Sequence, residues 1–192
     1  MRTYRTYSLN ALWFLIAANV LVFIVTVIRP DMLSFLGLLP YPYFSSQPWA
    51  IITHMFAHEN FWHILCNMIS LYFLGSFLIR LIGEEKFLIV YFLGGIIGGL
   101  FFVFLPPLPR IPIPAVGASG AIFAFGGALV IMAPRLPVFM FFVPVPIPLW
   151  IAITVFLLIS FVPGIAWQAH LGGLLLGLGA GYHFKRRRTY FY

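Results

Sequence analysis

The chain has 192 residues, of which 62% are apolar and only 8% charged, and its mean hydropathy is +1.05. A water-soluble domain of this size needs far more polar surface, so the composition excludes that class and points to a membrane protein. A single cysteine, Cys66, excludes an internal disulfide framework and a multi-cysteine metal site. The net charge of +7 sits in short loops and a tail between apolar runs. Membrane topology explains such a pattern better than a nucleic-acid partner.

Six apolar segments follow in chain order, near 11–28, 61–79, 87–105, 118–132, 147–162 and 168–184. The expected fold is therefore all-α: a six-helix membrane bundle forming a single domain over 1–192. The first segment has no small-residue cleavage site after it, which argues for a span rather than a signal peptide. The longest connection runs from Arg29 to Asn60 and carries Pro30, Pro40, Pro42 and Pro48 among aromatics. That composition suits segments lying in the membrane interface.

With the N-terminus placed in the cytoplasm, nine of the eleven Lys and Arg residues fall on the inner side. Only Arg29 and Arg110 fall outside. Basic loops stay inside, so the expectation is a multi-pass protein of the cell membrane with both termini cytoplasmic.

The fourth segment carries Gly120, Ala124, Gly127 and Ala128 on one helical face, and the sixth carries Ala169, Gly173, Gly177 and Gly181 at four-residue spacing. Small-residue stripes let helix backbones approach closely in lipid.

Polar side chains inside a bilayer are costly and mark function. Asn67 lies thirteen residues before Arg80, Ser119 sixteen before Arg135, and His170 fifteen before Lys185. At about 1.5 Å per helical residue, all three stand roughly 20–24 Å above the inner boundary. In a hydrocarbon layer of about 30 Å they share a level about 6–10 Å below the outer surface.

A serine, a histidine and an amide at one depth form a reaction kit. Histidine accepts the serine proton and later protonates the leaving amine. Ser119 starts its span, where free N–H groups and the helix dipole stabilise an oxyanion. His63 and Asn67, spaced i, i+4, can direct donors at the same oxyanion. The acids are Asp31, Glu59, Glu84 and Glu85, and none lies in these spans, so the expected machinery is a Ser–His dyad. His54, His58 and His63 also cluster, but Met55-Phe56-Ala57 lacks the glutamate of a zinc-protease helix. No metal or cofactor is expected. A transporter, the rival class, would favour inverted repeats or midplane charges, and neither is visible.

Gly117-Ala118-Ser119-Gly120 resembles the GxSG nucleophile motif of the rhomboid intramembrane serine proteases. Ala169-His170 followed by Gly173 and Gly177 resembles their AHxxGxxxG motif, and His54, His58, His63 and Asn67 resemble their HxxxHxxxxHxxxN pattern. The resemblance implies Ser119 as nucleophile, His170 as general base, and His63, Asn67 and the Ser119 amide as the oxyanion hole, with Gly117, Gly120, Phe123 and Gly173 supporting. It also implies a mobile fifth span and an outer loop near 163–168 that control entry. Phe123 replaces a frequent tyrosine, Ala50 a common arginine, and Ile79 a frequent acid. The partners it implies are membrane lipids and transmembrane protein substrates with helix-weakening residues, cut on the outer side. A non-proteolytic rhomboid-like protein or a transporter is the alternative.

Overall fold

The computed structural model describes residues 8–105, 113–139 and 145–188. Eight α-helices carry the described chain: α1 (Asn10–Ile28), α2 (Asp31–Leu36), α3 (Ala50–Thr53), α4 (Phe61–Ile82), α5 (Glu84–Phe104), α6 (Ser119–Met132), α7 (Leu149–Ile159) and α8 (Trp167–Arg188). By length and hydropathy α1, α4 and α5 can each cross a membrane. The other three expected spans form helices of 14, 11 and 22 residues. At 1.5 Å per residue the first two reach only about 16–21 Å, short of a full hydrocarbon layer.

Local chemistry sets the helix limits. Asn60 caps α4 by accepting the His63 N–H at 2.9 Å. Gly83 ends it with φ of +84°, a conformation that only glycine adopts freely, and α5 starts on the next residue. The segment expected near 147–162 is shorter than read. Ile147–Pro148 pairs antiparallel with Pro137–Val138, and Gly164, at φ +94°, lies in the turn before α8. Pro148 has no N–H to donate, so the helix begins after it.

The small-residue stripes are the axis of the fold. A Cβ on Gly173 would strike the Gly120 carbonyl, one on Gly177 the Ala124 carbonyl, and one on Gly181 the Ala128 carbonyl at 2.5 Å. The backbones of α6 and α8 therefore touch over three successive turns. Ten of the fourteen α6 residues are buried, because α4, α5, α7 and α8 all pack on it. A stripe on α5 completes this core: Gly94 faces Ala124, and Gly98 faces the Ala169 carbonyl. Leu12 and Leu15 of α1 join Leu71, Phe87, Tyr91 and Phe125 in the main apolar cluster.

The 29–60 connection folds into α2, a 3₁₀ turn at Tyr43–Ser46 and α3. Some of its side chains are buried against the helices, whereas Phe35, Tyr41, Tyr43 and Trp49 are exposed. Met55 packs over Gly95, and Leu38, Ile51 and His54 over Gly99. The basic ends converge. Lys185 Nζ donates to the Ile131 carbonyl at 3.0 Å, Lys86 lies 5.8 Å from the Phe184 ring, and Glu84 accepts the Ala11 N–H at 2.9 Å. The start of α1, the α4–α5 turn and the ends of α6 and α8 thus share one end of the bundle.

Candidate active site

The connection and the motif loop hold one another. Leu38 and Ala115 exchange both backbone hydrogen bonds, at 2.9 and 2.8 Å, and the Gly117 N–H donates to the His54 carbonyl at 2.8 Å. Gly117 has φ of +118°, and a Cβ there would stand 2.7 Å from His63 Nε2. Glycine is required twice over at this position, for backbone conformation and for room. The chain then turns through Ala118 into α6.

Ser119 opens α6. Its Oγ lies 2.8 Å from His170 Nε2. Helix geometry leaves the N–H groups of the first turn without intrahelical partners, so they are available next to that hydroxyl. Phe123, one turn further, stacks on the His170 ring at 4.4 Å between centroids and 19° between planes. A flat apolar face on one side fixes the ring plane without a hydroxyl.

His63 and Asn67 occupy successive turns of α4. The His63 ring lies against Gly117 and meets His58 edge-on at 5.0 Å. Asn67 donates from Nδ2 to the His63 carbonyl at 2.8 Å. That leaves one of its two N–H donors, and its Oδ1 is buried with no hydrogen-bond partner among the described residues. His54 is buried and holds the Ala50 carbonyl through Nδ1 at 2.7 Å. His58 lies 3.2 Å from the Phe56 carbonyl through Nδ1. Desolvation lowers the pKa of His54 to about 4. Desolvation, aided by the neighbouring His63, lowers that of His58 to about 3. Ala50 and Ile79 are both buried in apolar surroundings, at 0% and 1% exposure, where a charged side chain would lack solvation.

One polar group at this site was not anticipated. Ser160, just past α7, places its Oγ 2.6 Å from His170 Nδ1. The nearest sequence signal was a serine ten residues before the histidine, at the end of an apolar run.

The Rhomboid domain family model matches residues 45–187. The chain belongs to the rhomboid family. The matched stretch runs from before α3 to the penultimate residue of α8 and contains every motif residue described above. Among relatives, "Rhomboid protein 1, mitochondrial" of Saccharomyces cerevisiae is 31% identical over 95% of this chain and 56% of its own length. "Rhomboid protease GluP" of Bacillus subtilis is 36% identical over 44% of this chain and 16% of its own length. "Inactive RHOMBOID-like protein 8" of Arabidopsis thaliana is 29% identical over 66% of this chain and 35% of its own length. This rhomboid thus spans about half or less of the length of these relatives. One of the three carries "protease" in its name and one "Inactive", so family membership alone does not fix the activity of this chain.

Proposed function

We propose that this rhomboid is an intramembrane serine endopeptidase that uses Ser119 and His170 as a dyad. The observation that carries the reading is the 2.8 Å approach of Ser119 Oγ to His170 Nε2 at the start of a buried helix. In this mechanism His170 Nε2 takes the Ser119 proton as Oγ attacks the substrate carbonyl carbon. The tetrahedral oxyanion receives the N–H groups of the first turn of α6, with donors from His63 and Asn67. His170 then protonates the leaving amine, and water hydrolyses the acyl-enzyme by the same route. Neither a metal nor a cofactor takes part, and the exposed Cys66 has no role. The whole chain, 1–192, acts as one domain of six spans, in which the short α6 is sheltered within the bundle and the short α7 lies at its edge.

The substrates are transmembrane proteins whose spans carry helix-weakening residues, and they are cut on the outer side. The membrane is a cell membrane with both termini cytoplasmic. The nine-to-two distribution of basic residues supports that orientation, and so does the gathering of the helix ends around Arg80, Lys86 and Lys185 at one end. Several relatives carry "mitochondrial" in their names, including a second from Arabidopsis thaliana.

A fluorophosphonate or isocoumarin probe tests the activity directly. Labelling of the detergent-purified protein, lost in Ser119→Ala, is expected. In a proteolysis assay Ser119→Ala and His170→Ala each fall to background while remaining folded, because each removes the same acylation step. Asn67→Ala loses on the order of 10²–10³ at most, as one donor among several. Full proteolysis by Ser119→Ala overturns the mechanism. Absence of labelling in the wild type, with no cleavage of any reporter, favours a non-proteolytic role or transport.

A further inference from the structure

His170 is held from two sides, and the second hold determines which nitrogen carries its proton. Ser160 Oγ lies 2.6 Å from Nδ1 and 2.8 Å from the Phe156 carbonyl. A hydroxyl has one proton to give, and a carbonyl can only accept. The Ser160 O–H therefore goes to Phe156, and its lone pair faces His170. For that 2.6 Å contact to be a hydrogen bond, Nδ1 has to be the protonated nitrogen. Nε2 then carries a lone pair, and the 2.8 Å contact runs from the Ser119 hydroxyl to the histidine. The chain of donors leads from Ser119 through His170 and Ser160 to the α7 backbone.

Ser160 is buried where its neighbours are not. Ile159 and Phe161 beside it are 47% and 55% exposed, whereas Ser160 is 2% exposed. A serine at a helix end commonly bonds back to its own helix. Here that bond has a second effect, because it turns the hydroxyl into an acceptor for the next element. No carboxylate is needed, since the tautomer is selected by a neutral oxygen whose own proton is committed elsewhere.

We infer that Ser160 is a positioning residue for His170, holding the ring as the Nδ1–H tautomer so that Nε2 stays bare toward Ser119. The catalytic consequence rests on the peptidase reading, while the tautomer does not. Nitrogen-15 NMR of histidine-labelled protein in detergent separates the two, with the His170 signals assigned by their loss in His170→Gln. The wild type is expected to show a protonated Nδ1 and an unprotonated Nε2. Ser160→Ala shifts the population toward Nε2–H, and Ser160→Thr, which retains a hydroxyl, restores it. In proteolysis Ser160→Ala loses about tenfold to a hundredfold in kcat with KM within about twofold, and Ser160→Thr recovers most of it. A wild-type His170 protonated at Nε2 overturns the inference. So does a Ser160→Ala variant with wild-type kcat, or a Ser160→Thr variant as impaired as Ser160→Ala. The expected tautomer in a protein that cleaves nothing and takes no serine probe leaves the inference standing and removes the peptidase reading.

Discussion

Gly173 of α8 lies directly on the Gly120 carbonyl of α6, with no space between them for a methyl group. Each is near the dyad in sequence, Gly120 following Ser119 and Gly173 standing three residues after His170. The closeness of the two backbones is what brings a short serine and a histidine within 2.8 Å. Gly173→Ala should therefore push α8 off α6, at a cost of about 1–3 kcal/mol, and reduce proteolysis more than stability alone accounts for. Gly179, also in α8, has open space around it. Gly179→Ala should be neutral or stabilising by up to about 1 kcal/mol, since alanine is the better helix former. Thermal unfolding and activity of both variants in one detergent check the contrast. Equal effects at the two positions would mean that backbone contact is not what holds the dyad.

A second pair separates backbone strain from crowding at the site. Gly117 and Gly83 both have positive φ, +118° and +84°. A Cβ at Gly117 meets the His63 ring, whereas one at Gly83 meets nothing within 4 Å. Gly83→Ala should cost about 1–2 kcal/mol of stability from strain alone and leave activity per folded molecule unchanged. Gly117→Ala should cost more and also lower activity, because His63 and the loop before Ser119 must shift. Melting curves and single-turnover rates distinguish the two outcomes. Loss of single-turnover activity in Gly83→Ala would count against the separation.

The motif residues were legible because each motif is local. Four residues place Ser119 at a helix start, and a spacing of four marks Gly173 and Gly177 as one stripe. The shared depth of Ser119 and His170 followed from counting back to basic anchors, and their 2.8 Å contact agrees with that count. The α5 glycines, Gly94 and Gly98 against α6 and α8, obey the same spacing rule and could have been read by it. Ser160 could not. Its role depends on where α8 lies, and a serine before Phe161-Val162-Pro163-Gly164 reads simply as the end of a helix. The limits of α7 were obscured for a similar reason, since pairing of Ile147–Pro148 with Pro137–Val138 is a tertiary event in an apolar run. Asn19 shows that a buried polar side chain in a span does not by itself mark the site. It is a fully buried polar residue of α1 that bonds its own Leu15 carbonyl at 2.7 Å, away from the dyad motifs.

Acid should destabilise the packing of the 29–60 connection. His54 and His58 are held neutral by burial, with pKa values lowered from 6.5 to about 4 and about 3. In the unfolded chain both take up protons near pH 6.5, whereas the folded protein resists until far lower pH. The unfolded state then binds more protons, so the contribution of these residues is complete above pH 6.5 and is lost progressively as pH falls toward 4 and 3. The melting temperature in detergent should be level from pH 8 to 7 and decline between pH 6.5 and 4. His58→Gln should flatten part of that slope while lowering stability at pH 7.5. A melting temperature constant down to pH 5 would contradict the buried neutral state of both rings.

The last prediction concerns the bond that is cut. The dyad level about 6–10 Å below the outer surface comes from counting 1.5 Å per residue against a hydrocarbon layer of about 30 Å. A peptide bond inside a stable transmembrane helix is closed off by its own i to i−4 hydrogen bonds, so Ser119 can attack only after local unwinding. Residues that lower helix stability near the outer end of the substrate span should therefore speed cleavage, since glycine costs about 1 kcal/mol and proline about 3 kcal/mol relative to alanine. Replacing such residues in a reporter span with leucine should slow cleavage by about fivefold for each glycine and by a hundredfold or so for a proline, if unwinding precedes chemistry. A small residue before the scissile bond is what the resemblance to the rhomboid proteases implies. Mass spectrometry of fragments from the protein reconstituted in vesicles locates the cut. Products cleaved in the inner third of the reporter span would contradict both the depth and the orientation. Rates indifferent to the leucine replacements would remove unwinding as the step that selects substrates.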